Sequence, residues 1–521
     1  MTRKTRTIIF LICSFLFILI APSAVLYSQG YRIDFNPPAG GKRITQTGGL
    51  FLKTVPRQAD VYLDGKLNKK TDFFFGSVLV ENLLPKKYKV EVRKEGYYSW
   101  EKTLEIKEKE VTEAKNIVLF PQNINFNVLF SGVEQFWFSP DQKKIILKEK
   151  GELGWALKLY DLNKNIKSHL IGEEDFVLFF PREKDISSSP SVINLNFSED
   201  SKSIHLELEF EEDKSSSSPL ADAREFEEDK SSSLPLAAAR ELEEKIKYFT
   251  LAIDKTTPII EDEIAYQEIT NNDIYHLDGL GNLFRNEEQI TVTPFPIKQG
   301  GEEDKSSSSA ERSEAGDERS SATPFVNTRE VEYVLESFQG FIFLRESGNL
   351  YKFNPDLKIF ENFFEKIKAL KISQDNKKLA YFSDYEIWVL FLSDKNDPPQ
   401  KRMGEKLFLT RFSEKINDVF WLNSDYLIFN TEDKIKISEI DDRDRLNIID
   451  VFEIKKLPPN GSAKKASFLL PPSVARREMN EVQRPPSLLL GSPVKMFWNQ
   501  FDKKIYILNG GNLYSSNPLL P

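Results

Sequence analysis

The 521-residue sequence contains one cysteine, Cys13, and three histidines, His169, His205 and His276. A single cysteine excludes an internal disulfide bond and a zinc site built from several thiolates. The histidines lie far apart and do not follow the spacing of a metal-binding motif. The sequence therefore predicts neither a metal site nor a bound cofactor.

Signatures of the common enzyme classes are also missing. The sequence has no Gly-x-Ser-x-Gly nucleophile elbow, no His-Glu-x-x-His motif and no Gly-x-x-x-x-Gly-Lys phosphate loop. The segment "GLGN" at Gly279 lacks the third glycine and the following helix of a dinucleotide site. We therefore expect a protein without catalytic activity and assign no catalytic, cofactor-binding or metal-binding residue.

Positive charge is not in excess. The chain has 71 basic and 80 acidic side chains, a net charge of −9 at pH 7 and a pI near 5.4. Such a chain is repelled as a whole by the phosphates of nucleic acid. Nucleic acid is therefore not expected as a partner.

Length and aromatic content point to several mainly β units. A chain of 521 residues exceeds a single ordinary core, since domains usually have about 100 to 200 residues. Aromatic residues make up 12% of the chain, with 40 Phe and 17 Tyr, and these types favour strands. We expect two or three units, built mostly from strands.

The N-terminus has the features of a membrane anchor. Arg3, Lys4 and Arg6 precede an uncharged run, Ile8 to Tyr27, which has about the 20 residues that a helix needs to cross a bilayer. Basic residues beside a membrane helix usually stay in the cytoplasm. Residues 1–27 are therefore predicted to be a cytoplasmic flank and a single span, with the rest of the chain outside the cell membrane.

A cleavable signal peptide is the competing interpretation of this segment. Ala21, Ser23 and Ala24 are small residues near a plausible cleavage point. The apolar run is longer than a usual signal core, and Pro22 is poorly placed for cleavage after Ala24. These features favour an uncleaved anchor, in which Cys13 is an apolar residue of the helix.

A linker and a small β-domain are expected after the anchor. Residues 28–48 are rich in Gly, Pro and polar side chains, and fully extended they reach only about 70 Å. Residues 49–121 contain strands such as "KYKVEVR" (87–93), where apolar and charged residues alternate. Asp64-Gly65 and Glu95-Gly96 supply turns. We predict a small antiparallel β-sandwich close to the membrane.

Three segments of this domain carry a family resemblance. They are "VPRQADVYLDGK" (55–66), "LPKKYKVEV" (84–92) and "KEGYYSW" (94–100). In order and spacing they resemble the PEGA domain, a family named for a Pro-Glu-Gly-Ala motif before a strand that ends in an Asp-Gly turn. The resemblance implies an extracytoplasmic β-module of bacterial surface proteins that serves binding or spacing and carries no catalytic residues.

The match departs from the family motif at three positions. Pro56 and Ala59 stand at the outer positions of the motif, whereas Arg57 and Gln58 replace its Glu and Gly. Lys86 replaces a usual Gly. Pro, Ala, Asp and Gly at such positions ordinarily shape turns and fill a small core, so this stretch is predicted to be scaffold.

Residues 122–521 contain two repeated patterns. One pattern is an apolar strand, a Ser-x-Asp turn with lysines and a second strand, and it occurs at 136–150, 195–209, 370–384 and, in weaker form, at 419–433 and 496–510. The other is a Gly-Asn turn between apolar strands, at 279–285, 346–353 and 510–516. Repeated strand pairs of this kind predict a β-propeller of about five to seven blades.

The Ser-x-Asp pattern is similar to repeats of TolB-like and prolyl-oligopeptidase-type propellers and to degenerate WD repeats. In those families the Ser and Asp mainly hold the turn, so this role is expected here for Ser139, Asp141, Ser373 and Asp375. The first strands of three repeats also carry a tryptophan, predicted to lie in the core. These tryptophans are Trp137, Trp421 and Trp498.

Low-complexity segments interrupt the repeats near 210–241, 301–322 and 457–493. The first is a near-perfect tandem duplication, "FEEDKSSSSPLADARE" followed by "FEEDKSSSLPLAAARE". Ser-rich and charge-rich tracts cannot bury enough apolar surface to offset the entropy lost on ordering. We expect disordered insertions in propeller loops.

Two functions from different classes remain open. The first is a membrane-anchored extracytoplasmic binding or structural protein of the bacterial cell envelope. In it, the PEGA-like module is a spacer and the propeller binds a protein, peptide or glycan. The second is an envelope enzyme, such as a glycan lyase or hydrolase, with its site in the propeller channel, which would need converging carboxylates or histidines. The missing motifs favour the first.

Overall fold

The computed structural model describes residues 3–34, 44–151, 154–173, 175, 190–210, 246–253, 259–261, 275–285, 288–296, 333–458 and 494–520. The predicted insertion at 301–322 lies outside these residues, as does nearly all of the insertions at 210–241 and 457–493. Their disorder therefore stays a prediction.

A single long helix begins the described chain. Helix α1 spans Arg3–Ser28, and its segment Thr5–Ser28 has 24 residues and a mean hydropathy of 2.7. By length and composition it is able to cross a membrane. The predicted linker then begins with a short ribbon, because strands β1 (Tyr31–Ile33) and β2 (Ile44–Gln46) pair antiparallel.

The PEGA-like module consists of two facing sheets, with strand orders β6-β3-β9 and β5-β4-β7-β8. Its core is a single cluster of buried apolar side chains from both sheets. Tyr88, Val90 and Val92 are buried, as the alternating pattern predicts. The strands are β3 (Gly48–Val55), β4 (Asp60–Leu63), β5 (Lys66–Lys70), β6 (Ser77–Leu83), β7 (Lys87–Arg93), β8 (Trp100–Glu105) and β9 (Val111–Val118).

The expectation of a wholly antiparallel sandwich is wrong for one pair of strands. β3 and β9 run parallel, with Gly49 opposite Val111 and Val55 opposite Val118. Parallel neighbours need a long crossover rather than a tight turn. Here the five strands from β4 to β8 provide it, so hairpin signals in the sequence could not reveal this pairing.

The remaining described strands form seven further sheets, each an antiparallel ladder of three or four strands. Six of these sheets consist of consecutive strands only. The first strands are β10 (Phe126–Ser131), β11 (Val133–Phe138), β12 (Lys144–Gly151), β13 (Gly154–Asp161), β14 (Ile166–Gly172), β15 (Ser191–Phe197), β16 (Ser203–Glu209), β17 (Ile246–Ala252) and β18 (Ile259–Glu261). The next are β19 (Tyr275–Leu277), β20 (Leu283–Arg285), β21 (Glu288–Gln289), β22 (Tyr333–Phe338), β23 (Phe341–Glu346), β24 (Asn349–Asn354), β25 (Ile359–Phe364), β26 (Ala369–Ile372), β27 (Lys378–Phe382), β28 (Glu386–Phe391) and β29 (Lys406–Arg411). The last are β30 (Ile416–Asn423), β31 (Tyr426–Thr431), β32 (Lys434–Glu439), β33 (Ile448–Glu453), β34 (Lys495–Asn499), β35 (Lys504–Asn509) and β36 (Asn512–Ser516).

The chain divides into two compact units. The first unit comprises Met1–Thr270, Lys395–Lys401 and Glu414–Pro521, and the second comprises Asn271–Asp394 and Arg402–Ser413. The first unit contains α1, the PEGA-like module and the sheets β11–β14, β15–β18 and β30–β33, together with a sheet of order β10-β36-β35-β34. The second unit contains the sheets β19–β21, β22–β25 and β26–β29.

These sheets are blades of the propeller type, and the predicted fold class is confirmed. The described residues contain seven blade-type sheets, which is within the expected range of five to seven. The sheet β10-β36-β35-β34 combines the first blade strand after the module with the last three strands of the chain. This pairing covers edges that would otherwise be open.

The repeated Ser and Asp residues hold turns, as predicted. Ser139 donates from Oγ to Oδ1 of Asp141 at 2.6 Å, and Ser373 donates to Asp375 at the same distance. Burial alone raises the pKa of Asp375, but hydrogen bonds from Lys378 and Ser373 outweigh it and lower the pKa to about 2. Trp421 and Trp498 are buried, and Trp137 is half-buried and packs against an apolar cluster, so their core role is confirmed.

Two glycines of the PEGA-like module show why its turns need glycine. Asp64 and Gly65 have φ values of +49° and +76°, which fit the tight turn between β4 and β5. A Cβ on Gly65 would meet no atom within 4 Å, whereas a Cβ on Gly76, at φ +67°, would lie 2.4 Å from the carbonyl oxygen of Thr54. Gly65 is therefore needed for its backbone angle alone, and Gly76 for its angle and for space.

We predict that Gly65→Val lowers the free energy of unfolding of the module by about 1 to 3 kcal/mol, since a β-branched residue resists positive φ. Gly76→Ala should cost at least as much, because a backbone carbonyl blocks the new methyl group. Arg57→Ala and Gln58→Ala, at exposed positions, should change it by less than about 0.5 kcal/mol. Chemical denaturation, together with hydrogen exchange of the amides in β4 and β7, measures these effects. A Gly65→Val variant with an unchanged free energy of unfolding would contradict the scaffold interpretation.

Candidate functional site

The edge strand β8 of the PEGA-like module carries a lysine at an inward position. In the sequence "WEKTLEI" the period of two places Trp100, Lys102 and Leu104 on the same side of the strand. All three side chains are buried, and Lys102 is 0% exposed. A buried ammonium group is very costly unless it is paired, so the surroundings of Lys102 must supply negative charge.

Glu439, at the end of β32, supplies that charge. Nζ of Lys102 lies 2.6 Å from Oε1 of Glu439, whose side chain is 4% exposed. The carbonyl oxygen of Asp441 also accepts a hydrogen bond from Lys102, and Oδ1 of Asp441 lies 3.7 Å from Nζ. The module and the sheet β30–β33 therefore meet at a buried ion pair within the first unit.

Both carboxylate oxygens of Glu439 have further donors. The indole Nε1 of Trp100 donates to Oε2 at 2.8 Å, and the side-chain and backbone nitrogens of Asn447 donate to Oε1 at 2.7 and 3.1 Å. Burial raises the pKa of Glu439 above its usual value, although Lys102 and Trp100 favour the charged form. The site is thus a satisfied polar network rather than an unpaired acid.

Asp441 and Arg443 form a second pair next to the first. Arg443 donates from Nη2 to Oδ2 of Asp441 at 2.5 Å and from Nη1 to the carbonyl oxygen of Glu113 in β9 at 2.6 Å. Burial acts to raise the pKa of Asp441, but the hydrogen bond from Arg443 and the charge of Lys102 hold it below its usual value. Arg443 therefore joins the loop between β32 and β33 to β9 of the module, whereas Lys102 joins the same loop to β8.

Polar contacts at the rim extend this interface. The amide of Thr103 donates to Asp444 at 2.7 Å, and Arg445 pairs with Glu101 at 3.0 Å. The hydroxyl of Tyr98 donates to the carbonyl oxygen of Asp450 at 2.9 Å. We call the module face with Trp100 and Lys102, together with the loop 440–447, the docking interface.

An apolar contact lies beside the ion pairs. Phe120 and Tyr426 pack edge to face with ring centroids 5.4 Å apart, and the hydroxyl of Tyr426 accepts a hydrogen bond from the amide of Val118 at 3.1 Å. Burial raises the pKa of Tyr426 well above its usual value. The docking interface therefore combines apolar burial with a polar network, as stable interfaces within a protein do.

A small pocket opens beside the docking interface. Charged side chains such as Lys115, Asp397, Asp425 and Arg443 line it. A polar lining of this kind suits ordered water, which bridges polar groups well.

The three histidines noted in the sequence lie in separate surroundings. His169 contacts Asp175 at 3.0 Å, His205 is buried beside the hydroxyl of Thr250 at 2.6 Å, and the ring of His276 stacks on Phe284 with centroids 5.0 Å apart. In the part of the chain that the structure describes, no group of three or more His, Cys, Asp or Glu residues is arranged to hold a metal ion.

The docking interface was missed by sequence reasoning. One signal for it was present, because Lys102 interrupts the row of apolar residues from Trp100 to Ile106 at an inward position. Its partners Glu439 and Asp441 lie more than three hundred residues later, so no local pattern could identify them.

The comparison with protein families supports the resemblance noted in the sequence. Residues 47–119 match the family described as the PEGA domain. This match covers the module and not the blades. No curated protein matches the chain.

Several solved structures are similar to the chain at low sequence identity. TolB from Acinetobacter baumannii is 12% identical over 70% of this chain and 60% of its own, with a TM-score of 0.23. YCF48 from Cyanidioschyzon merolae is 9% identical over 75% of this chain and 98% of its own, with a TM-score of 0.35. Pyrococcus horikoshii acylaminoacyl peptidase is 10% identical over 79% of this chain and 54% of its own, with a TM-score of 0.30.

These similarities are limited in the length covered and in structural agreement. The match spans less than two thirds of the TolB chain. All three TM-scores are below 0.5, so the similarities do not identify an activity, a substrate or a partner.

The buried pair predicts a large and non-additive effect of mutation. Lys102→Met leaves the charge of Glu439 without its partner and should lower the free energy of unfolding by about 3 to 5 kcal/mol. Lys102→Met combined with Glu439→Gln should recover much of this loss, because no buried charge then remains unpaired. Chemical denaturation of the two single variants and the double variant measures the coupling.

An exposed ion pair of the same module is the control. Lys86 and Asp64 lie 3.0 Å apart with side chains 53% and 44% exposed, and Lys86→Met should cost about 0 to 1 kcal/mol. If Lys102→Met costs no more than Lys86→Met, the buried pair does not hold the docking interface.

Proposed function

We propose that this chain is a membrane-anchored structural or binding protein of the bacterial cell envelope. In this proposal α1 holds the chain in the membrane, the PEGA-like module is a fixed pedestal, and the blades form an interaction platform. The observation that carries the proposal is the docking interface, where the buried pair Lys102–Glu439 joins the module to the sheet β30–β33.

A docked module restricts the position of the blades, whereas a flexible spacer does not. A flexible linker lets the attached domain sample a wide volume, whereas a packed interface fixes height and direction. The link to α1 is also short, because the amide of Thr47 donates to the carbonyl oxygen of Gly30 at 2.8 Å. The blades that are docked on the module are therefore held close to the bilayer, where they meet partners at the membrane surface.

The type of partner is proposed from the charge balance and the motifs of the sequence. A non-enzymatic platform of this type takes a protein, a peptide or a glycan of the envelope, and the acidic balance of the chain disfavours nucleic acid. The absence of recognised catalytic motifs from the sequence favours binding over a glycan lyase or hydrolase.

The membrane topology gives the first test. In a Cys13→Ser background, Lys164→Cys places a thiol on an exposed turn between β13 and β14, where Lys164 has a 71% exposed side chain. A maleimide that cannot cross membranes should label this thiol in intact cells or spheroplasts. Thr2→Cys, before the basic flank, should be labelled only after lysis. Labelling of Lys164→Cys only after lysis would contradict the topology.

The platform role predicts which part of the chain captures a partner. We expect envelope proteins or glycans to be recovered after cross-linking to the full chain, and not to a shorter chain that ends at residue 121 and keeps α1 and the module. Equal recovery by both baits would move the binding site to the module. Release of glycan fragments by the full chain would favour the enzyme instead.

A further inference from the structure

Three consecutive phenylalanines are exposed on the PEGA-like module. Phe73, Phe74 and Phe75 lie between β5 and β6 and are 62%, 71% and 74% exposed. Phenylalanine is normally a large contributor of buried apolar area, and contiguous exposed apolar groups mark interaction sites. We call residues 73–75 the aromatic tip.

The aromatic tip is held in place by its neighbours. The carboxylate of Asp72 accepts hydrogen bonds from the amides of Phe74, Phe75 and Ser77 at 2.8, 2.6 and 2.7 Å, and from the hydroxyl of Ser77 at 2.7 Å. The hydrogen bond from the Ser77 side chain, together with those from the backbone, holds the pKa of Asp72 far below its usual value. Gly76 packs against the backbone of Thr54. The exposure of the phenylalanines therefore belongs to an ordered turn.

Basic side chains surround the aromatic tip. Lys53 lies opposite Ser77 in the pairing of β3 with β6, and the side chain of Arg57 lies next to Gly76. Lys69 and Lys70 end β5, just before the tip. Two acids lie near these four basic groups: Asp60 pairs with Lys70, and Asp72 accepts the hydrogen bonds of the turn, so positive charge remains in excess. This surface is basic in a chain whose net charge is −9.

Aromatic rings beside lysines and arginines fit the interface of an anionic bilayer. The rings enter the boundary between headgroups and acyl chains, and the basic groups remain among the phosphates. In the proposed function, the bilayer that holds α1 is also close to the tip. Thr47, bonded to Gly30 at the end of α1, adjoins the start of β3, and the tip lies at the other end of this strand, about 26 Å away for its eight residues.

We propose that the aromatic tip inserts into the headgroup region of the bilayer that holds α1, as a second membrane contact. This contact lays β3 along the membrane surface and so fixes the tilt of the module. It rests on the membrane anchoring in the proposed function. The anchor keeps the tip within reach of the bilayer, so a weak intrinsic affinity is sufficient.

The lone cysteine makes a direct test feasible. The full chain is labelled with an environment-sensitive fluorophore at three sites in turn: at native Cys13, at Phe74→Cys in a Cys13→Ser background, and at Lys164→Cys in the same background. Each protein is reconstituted in vesicles of phosphatidylglycerol and phosphatidylcholine in equal parts. Lipids with a nitroxide quencher, either shallow or deep in the bilayer, then report the depth of each label.

The expected pattern distinguishes the anchor from the tip. Emission from Cys13 should be lost most strongly with the deep quencher, emission from Phe74→Cys with the shallow quencher, and emission from Lys164→Cys with neither. Loss of quenching at Cys13 would overturn the anchoring itself. Quenching at Cys13 with no more quenching at Phe74→Cys than at Lys164→Cys would overturn the inserted tip and leave the anchoring intact.

Charge and ring variants give the second measurement. Lys69→Glu with Lys70→Glu, or vesicles of phosphatidylcholine alone, should reduce shallow quenching at Phe74→Cys. Phe73→Ser with Phe75→Ser should reduce it further, while Leu357→Ser, at an exposed leucine of the second unit, should leave it unchanged. If neither the charge variants nor the ring variants reduce shallow quenching at Phe74→Cys, insertion of the tip is overturned. If the label at Phe74→Cys is as well shielded from water in detergent as in vesicles, a protein contact rather than the bilayer explains the shielding.

Discussion

The buried ion pair between Lys102 and Glu439 is the interaction on which the arrangement of the first unit depends. Two charges with almost no exposure are tolerable only together, so β8 and the end of β32 cannot separate without leaving one of them unpaired. Such pairs often add little net stability compared with apolar residues, but they make wrong alignments costly. We regard the pair as the element that sets the register of module against blade, and the rim contacts as its consequence.

The blades depend on short-range rules that are independent of this pair. Each Ser-x-Asp turn satisfies its own backbone groups, and the neighbouring residue takes a positive φ, for example Gln142 at +57° and Asn376 at +55°. The turns between β23 and β24 and between β35 and β36 use Ser347-Gly348 and Gly510-Gly511, all with positive φ. The blades thus form locally, while the docking interface is made by residues distant in the sequence.

This division explains what the sequence could predict. Periodicity revealed α1, the strands of the module and the blade repeats, because these depend on neighbouring residues. It could not reveal the parallel pairing of β3 with β9, nor the partners of Lys102, because both join distant segments. The aromatic tip was missed for another reason. A run of three phenylalanines is typical of a buried strand, and only the carboxylate of Asp72, by capturing the following amides, turns the run outward.

The sheet that combines β10 with β34, β35 and β36 has a consequence for folding during synthesis. Phe126 pairs with Ser516, so β10 is synthesised hundreds of residues before its hydrogen-bonding partner. Until β36 has been synthesised, β10 has an unsatisfied edge, which is prone to wrong pairing with other chains. The seven strands of the module end at Val118, before β10 begins, so the module does not depend on this late pairing. Completion of this sheet therefore requires synthesis of the segment between β10 and β36 in addition to formation of its own hairpins.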